Sequence, residues 1–192
     1  MLIAVIVIAA IAVGAAVVIT KSGDDTGNGG IASACTDVGR AFGPEGMATL
    51  QSAMTDLSSL ESMGPEDISV DAFQNAADSI DVLADTVEPF ATLLAELDAS
   101  KEFNAADPNS DIHDMSGVMK DAVSKLREIA TTFRGLKTID DLATSVERFT
   151  ALGEEMNSVG ESLNSFSSSP AADKFLMDIP ECSAMIDTLN SL

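Results

Sequence analysis

The sequence predicts an all-α protein: one N-terminal transmembrane helix followed by an antiparallel up-down four-helix bundle with short C-terminal helices. Three observations predict it. Met1 to Thr20 carries no charged side chain, whereas all 31 Asp and Glu residues lie beyond Lys21. Apolar residues then recur with heptad spacing through long uninterrupted stretches. The joins between several of these stretches are short, which forces neighbouring helices to run antiparallel.

The first element is the apolar run Met1 to Thr20. At about 1.5 Å per residue it is long enough to cross a hydrocarbon core of roughly 30 Å. Secretory signals usually have a shorter apolar region, about 7–15 residues, behind a basic leader that is missing here. Ala32-Ser33-Ala34 reads as a cleavage site, and Ala32-Ser33-Ala34-Cys35 loosely resembles a lipidation box. Both sit too far downstream, behind the polar stretch Lys21 to Gly30, so the span is expected to be retained. Ala10 with Gly14, and Ala12 with Ala16, have the four-residue spacing that lets helix backbones approach closely in lipid. They are the candidate membrane helix-packing residues.

The chain therefore divides into a transmembrane anchor at 1–21, a Gly-rich linker at 22–31 and an acidic helical bundle at 32–192. Lys21 alone biases its side of the span toward the cytoplasm, but two Asp follow almost at once. The cysteines decide the orientation. Cys35 and Cys182 stand at opposite ends of the domain with no CxxC motif, which favours one structural disulfide. Disulfides persist outside the cytoplasm. The expectation is a single-pass protein of the cell membrane with its C-terminal domain extracytoplasmic.

Helix one starts at Gly43-Pro44-Glu45-Gly46, with Pro at a first helical position, and carries Met47, Leu50, Met54, Leu57, Leu60 and Met63 until Gly64-Pro65 ends it. Helix two runs from about Val70 to Leu97. Phe73, Ile80, Val87 and Leu94 occupy one heptad position, and Ala76, Leu83, Phe90 and Leu97 the other. Because the repeat passes through Pro89 without losing phase, a continuous kinked helix is predicted there. Helix three alternates Ile112, Met119, Leu126 and Phe133 with Met115, Ala122, Ile129 and Leu136. Helix four begins at Thr138-Ile139-Asp140-Asp141, which approximates a capping box, and continues through Leu142, Val146, Phe149, Met156 and Leu163 toward Phe166. Pro170 and Pro180 then open two short C-terminal helices, the second bearing Cys182, Met185, Ile186 and Leu189.

Few residues suggest chemistry, and each has a plainer structural role. His113 is the only histidine, which excludes multi-histidine metal sites and makes a His-based hydrolase a poor fit. Asp107-Pro108-Asn109-Ser110-Asp111 begins like a calcium loop, but Ile112 stands where the sharp-turn Gly belongs and Val118 where the bidentate Glu belongs. An interhelix loop with Ser110 or Asp111 as helix cap fits better. His113, Met115 and Met119 offer one nitrogen and two thioethers to a soft copper ion, yet both methionines occupy heptad core positions. Adjacent pairs such as Asp24-Asp25, Asp140-Asp141 and Glu154-Glu155 diverge by roughly 100° on a helix and cannot flank one bond. No phosphate loop, GxSxG or CxxCH motif is present. No enzyme activity, cofactor or metal is expected.

With 10 Lys and Arg against 31 Asp and Glu, the net charge is -21. That field repels nucleic acid and anionic lipid, favours solubility, and steers a cationic extracytoplasmic protein toward the domain. The combination of the Met1 to Thr20 anchor, the Gly23 to Gly30 linker and an Ala-, Ser- and Asp-rich bundle resembles the small single-span accessory subunits of actinobacterial respiratory supercomplexes. The resemblance is one of layout and carries no signature residues. It implies a non-catalytic scaffold role beside a cytochrome bc complex and terminal oxidase, with integral membrane subunits as partners through span and bundle. Two other classes are a ligand- or ion-binding bundle with space near Gly153 and Gly160, and a pilin-like filament subunit whose apolar helix packs in a fibre core.

Overall fold

The computed structural model of the chain describes residues 29–62, 69–108, 110–138, 140–141 and 170–191. The predicted membrane span, Gly64-Pro65 and helix four beyond Asp141 lie outside the described residues. Among the described residues there are seven helices and no strand: α1 Gly29–Ala41, α2 Pro44–Ser62, α3 Val70–Ala99, α4 Lys101–Ala106, α5 Ile112–Gly135, α6 Pro170–Met177 and α7 Pro180–Leu189. None of these helices is long and apolar enough to cross a membrane.

The central pair is α3 and α5. Ser69 caps α3 by accepting the N–H of Ala72 at 3.2 Å, which satisfies one of the orphan first-turn donors. The helix then continues for 30 residues, about 45 Å. Pro89 lies inside it without ending it, as the unbroken heptads predict. Both heptad rows of α3 are buried except for the half-buried Phe90, and every heptad residue of α5 is buried. The two helices run antiparallel, with Phe73 near the start of α3 and Phe133 near the end of α5 only 6.4 Å apart between ring centres.

Helix α1 takes up Gly29, Gly30 and Ile31, which the sequence reading assigns to the linker. Ile31, Ala34, Cys35 and Val38 recur every three or four residues and are all buried. Packing of that stripe outweighs the poor helix propensity of two glycines. Pro44 opens α2 as expected, and Met47 N–H donates to the Gly43 carbonyl at 2.8 Å across the corner. At this corner Gly46 lies directly against the Ala41 carbonyl: a Cβ there would meet the Ala41 carbonyl oxygen and lie 2.6 Å from its carbon. A residue without a side chain is what lets α2 start so close behind α1.

Together α1 and α2 form one broken line along α3, running opposite to it. Gly30 sits against Glu96, and Ala41 lies in a groove with Asp85 and Glu88. The link after α3 contains a further helical turn, α4, that the sequence reading leaves as loop. Ser100 caps it by accepting the N–H of Phe103 at 3.1 Å, and Phe103 packs edge-on against Phe175 of α6 at 5.4 Å. The two short C-terminal helices start at Pro170 and Pro180, as predicted, and α7 lies beside α1.

The buried apolar residues among those described fall into two hydrophobic clusters. One joins α1, the end of α3 from Val87 to Leu97, α4, the start of α5, α6 and α7. The other joins α2, the start of α3 from Phe73 to Ala84, and the end of α5 from Ala122 to Leu136. Half-buried Met47 touches both.

Candidate functional site

The first site that the sequence singles out is a cross-link. Cys35 on α1 and Cys182 on α7 form a disulfide with their Cα atoms 4.8 Å apart, and both residues are fully buried. The buried stripe of α1 and the Pro180 start of α7 place the two cysteines side by side in one apolar cluster. Gly39, one turn further along α1, lies beside Met185, where a Cβ would stand in ordinary contact 3.6 Å from Met185 Cα. The predicted pairing is therefore present, and it sits inside the first hydrophobic cluster.

The metal candidates resolve into structural roles. Met115 and Met119 are buried in the core, 6% and 0% exposed, while His113 on the same helix is exposed. The helix thus separates the imidazole from both thioethers. In the Asp107 to Asp111 loop, the Ser110 hydroxyl accepts the Ile112 N–H at 3.2 Å, and the Asp111 side chain makes no cap bond. Of the two caps expected, Ser110 does the work. Asn109 lies outside the described residues. No cluster of three or more His, Cys, Asp or Glu suited to a metal ion occurs among the described residues.

A line of charge pairs between α3 and α5 was not anticipated. Arg127 donates to both Glu88 oxygens, at 3.2 and 2.8 Å, and to Asp85 at 3.2 Å. Arg134 binds Asp78 at 2.7 Å and Asp81 at 2.6 Å. His113 Nδ1 lies 3.0 Å from Asp98. The hydrogen bond that the His113 imidazole donates to the Asp98 carboxylate holds the His113 pKa above its ordinary value. Glu88, then Asp85, push the Arg127 guanidinium further up, and Asp78 with Asp81 does the same to Arg134.

The signal was in the sequence: His113, Lys120, Arg127 and Arg134 stand seven residues apart, beside the core heptad of α5. Each exposed pair contributes little, typically up to about 1 kcal/mol. Helix four's predicted capping box is also formed at its described start. Thr138 Oγ1 accepts the Asp141 N–H at 3.2 Å, and the Asp141 carboxylate accepts the N–H groups of Lys137 and Thr138 at 2.9 Å each. Those bonds, Lys137's first, hold the Asp141 carboxyl below the usual carboxylate range.

The described surface is polar, with Val70, 44% exposed, its one large exposed hydrophobic residue. An open groove of about 410 Å³ between α2 and α3 is lined by small and polar side chains, among them Thr49, Ser52, Asn75 and Ser79. Ala10, Ala12, Gly14 and Ala16, and the ligand-space candidates Gly153 and Gly160, lie outside the described residues. Comparison with known protein families, curated proteins and solved structures finds no match to the chain.

Proposed function

We propose that this protein is a non-catalytic accessory subunit of a membrane complex, held by its N-terminal span and presenting an acidic helical domain outside the cytoplasm. The observation that carries this reading is the uncharged run Met1 to Thr20 placed ahead of an acidic bundle closed by a buried disulfide. A run of that length and composition suits lipid, and the cross-link suits an oxidising compartment. Helix α1 enters against the C-terminal end of α3, so an anchor ahead of it would hold the disulfide-bearing end nearest the bilayer.

On this reading the span docks through Ala10, Ala12, Gly14 and Ala16 against integral membrane subunits. Among the described residues almost no large apolar side chain is exposed, which suits contacts made through charge rather than burial, and the net charge of -21 favours a cationic partner. The respiratory supercomplex that the layout resembles is the assembly we put first. Purification of the tagged protein from native membranes in mild detergent tests this. Co-purifying membrane subunits and a haem absorbance spectrum are expected, and recovery of the chain alone refutes the proposal. Replacing Gly14 with Leu is expected to release those subunits while leaving the chain in the membrane fraction.

A further inference from the structure

We infer that the open groove between α2 and α3 receives arginine side chains of a cationic partner protein. This names a surface for the cationic partner proposed above, and rests on that reading.

The α2 wall of the groove runs from Thr49 to Ser59, about 15 Å of helix. The α3 wall runs from Ala72 to Val82. Each wall sets two polar side chains four residues apart on one helix face: Ser52 with Asp56, and Asn75 with Ser79. Thr49, Ser52, Asp56, Asn75 and Asp78 are exposed along it, and no Lys or Arg lines it among the described residues.

The hydrogen-bonding capacity left to the groove is mainly that of acceptors. The Thr49 hydroxyl donates its hydrogen to the Glu45 carbonyl at 3.0 Å, so its lone pairs are what remain. The Asp56 carboxylate accepts and cannot donate when ionised, and it has no ion-pair or hydrogen-bond partner among the described residues. Asp78 adds a second carboxylate, which already holds Arg134 at 2.7 Å.

Ser79 points the same way. Other hydroxyls on these two helices bond back to the preceding turn, as Thr55 does to the Gln51 carbonyl at 2.8 Å and Thr86 to that of Val82 at 2.7 Å. Ser79 is only 5% exposed, yet its hydroxyl makes no hydrogen bond among the described residues and lines the groove. A buried polar group without a partner is costly until something supplies one.

A guanidinium carries five N–H donors in one plane, a fixed positive charge and no acceptor, which complements this set. Phosphates and acidic peptides bring acceptors and negative charge, and so oppose it. Small-ligand sites enclose most of their ligand, and this open groove does not. An arginine carried on a partner's surface needs no such enclosure.

Fluorescence anisotropy of a labelled glycine peptide carrying two arginines, titrated at low ionic strength with the full chain in neutral detergent micelles, tests this. Asp56→Asn is expected to weaken binding about fivefold. Ser79→Ala, which removes no charge, is expected to weaken it about threefold. Glu102→Gln removes the same charge as Asp56→Asn from an exposed position on α4, beyond the far end of α3, and should change binding less than about twofold. Equal losses in Asp56→Asn and Glu102→Gln, with Ser79→Ala unchanged, overturn the groove and leave only the diffuse field of the domain. No binding by the unaltered protein refutes the cationic-partner reading itself, and the groove with it. Arginine amide that displaces the peptide at equal concentration overturns the protein partner in favour of a small amine.

Discussion

Replacing Cys35 and Cys182 by Ala, singly and together, probes the largest single contribution to stability that the fold offers. The bridge spans a sequence separation of 147 residues, and chain-entropy reasoning assigns a loop of that size about 5 kcal/mol. Losing two fully buried sulfur atoms adds roughly 1 kcal/mol each. Against a typical domain stability of about 5–15 kcal/mol, the loss is a third or more of the total. At about 2–4 °C per kcal/mol for a chain of this size, the melting midpoint should fall by roughly 14–28 °C. Either single variant breaks the same bond, so each should lose nearly as much as the double. The three effects are therefore strongly non-additive. Urea unfolding followed by circular dichroism, on full chains in the same detergent, measures all three. A double variant within about 1 kcal/mol of the unaltered protein, or single effects that simply add, would refute the reasoning.

The remaining predictions concern the corner, the core and the charge pairs. Gly46→Ala is expected to destabilise by about 1–3 kcal/mol in thermal unfolding, because the added Cβ meets the Ala41 carbonyl and backbone cannot step aside. A gain instead, of the roughly 1 kcal/mol that helix propensity favours, would show that the corner relaxes freely. Met119→Leu conserves core volume and should cost less than about 1.5 kcal/mol with no change in copper binding by titration, whereas Leu83→Ala should cost about 2–5 kcal/mol. A double-mutant cycle on Arg127→Ala and Glu88→Ala should give a coupling of up to about 1 kcal/mol that shrinks at high salt; a coupling unaffected by salt would contradict the exposed geometry. His113 should titrate above about 6.5 by NMR, and return toward that value in Asp98→Asn. The sign is that of a raised cation: the pair's stabilisation is complete below about 6.5 and disappears as pH rises through the raised value. For Asp141 the sense is opposite, with its cap complete above the ordinary carboxylate value and lost as pH falls through the lowered one.

Much of the helical layout was legible because burial on a helix leaves a period. The rows Phe73, Ile80, Val87, Leu94 and Ile112, Met119, Leu126, Phe133 keep that period, and all eight residues are buried. The same regularity across Pro89 correctly argued for one helix, since a loop would have shifted the phase. Helix α1 was missed although Ile31, Ala34, Cys35, Val38 and Phe42 carry the same spacing. Its Gly-rich start reads locally as linker, and local propensity cannot register a stripe whose partners come from α3 and α7. Helix α4 was missed for a related reason: six residues are too few to show a period, and Phe103 is ordered by Phe175, distant in sequence.

From its residues alone, the chain specified a helical, acidic, disulfide-competent domain behind an apolar run, because composition, period and capping are local quantities. Tertiary structure decided how those pieces share cores. It placed α7 beside α1 so that Cys35 reaches Cys182, aligned Arg127 and Arg134 with four carboxylates, and grouped the described core residues into two clusters. None of these follows from spacing alone, since each depends on which faces meet, and that choice is made by packing the whole chain at once.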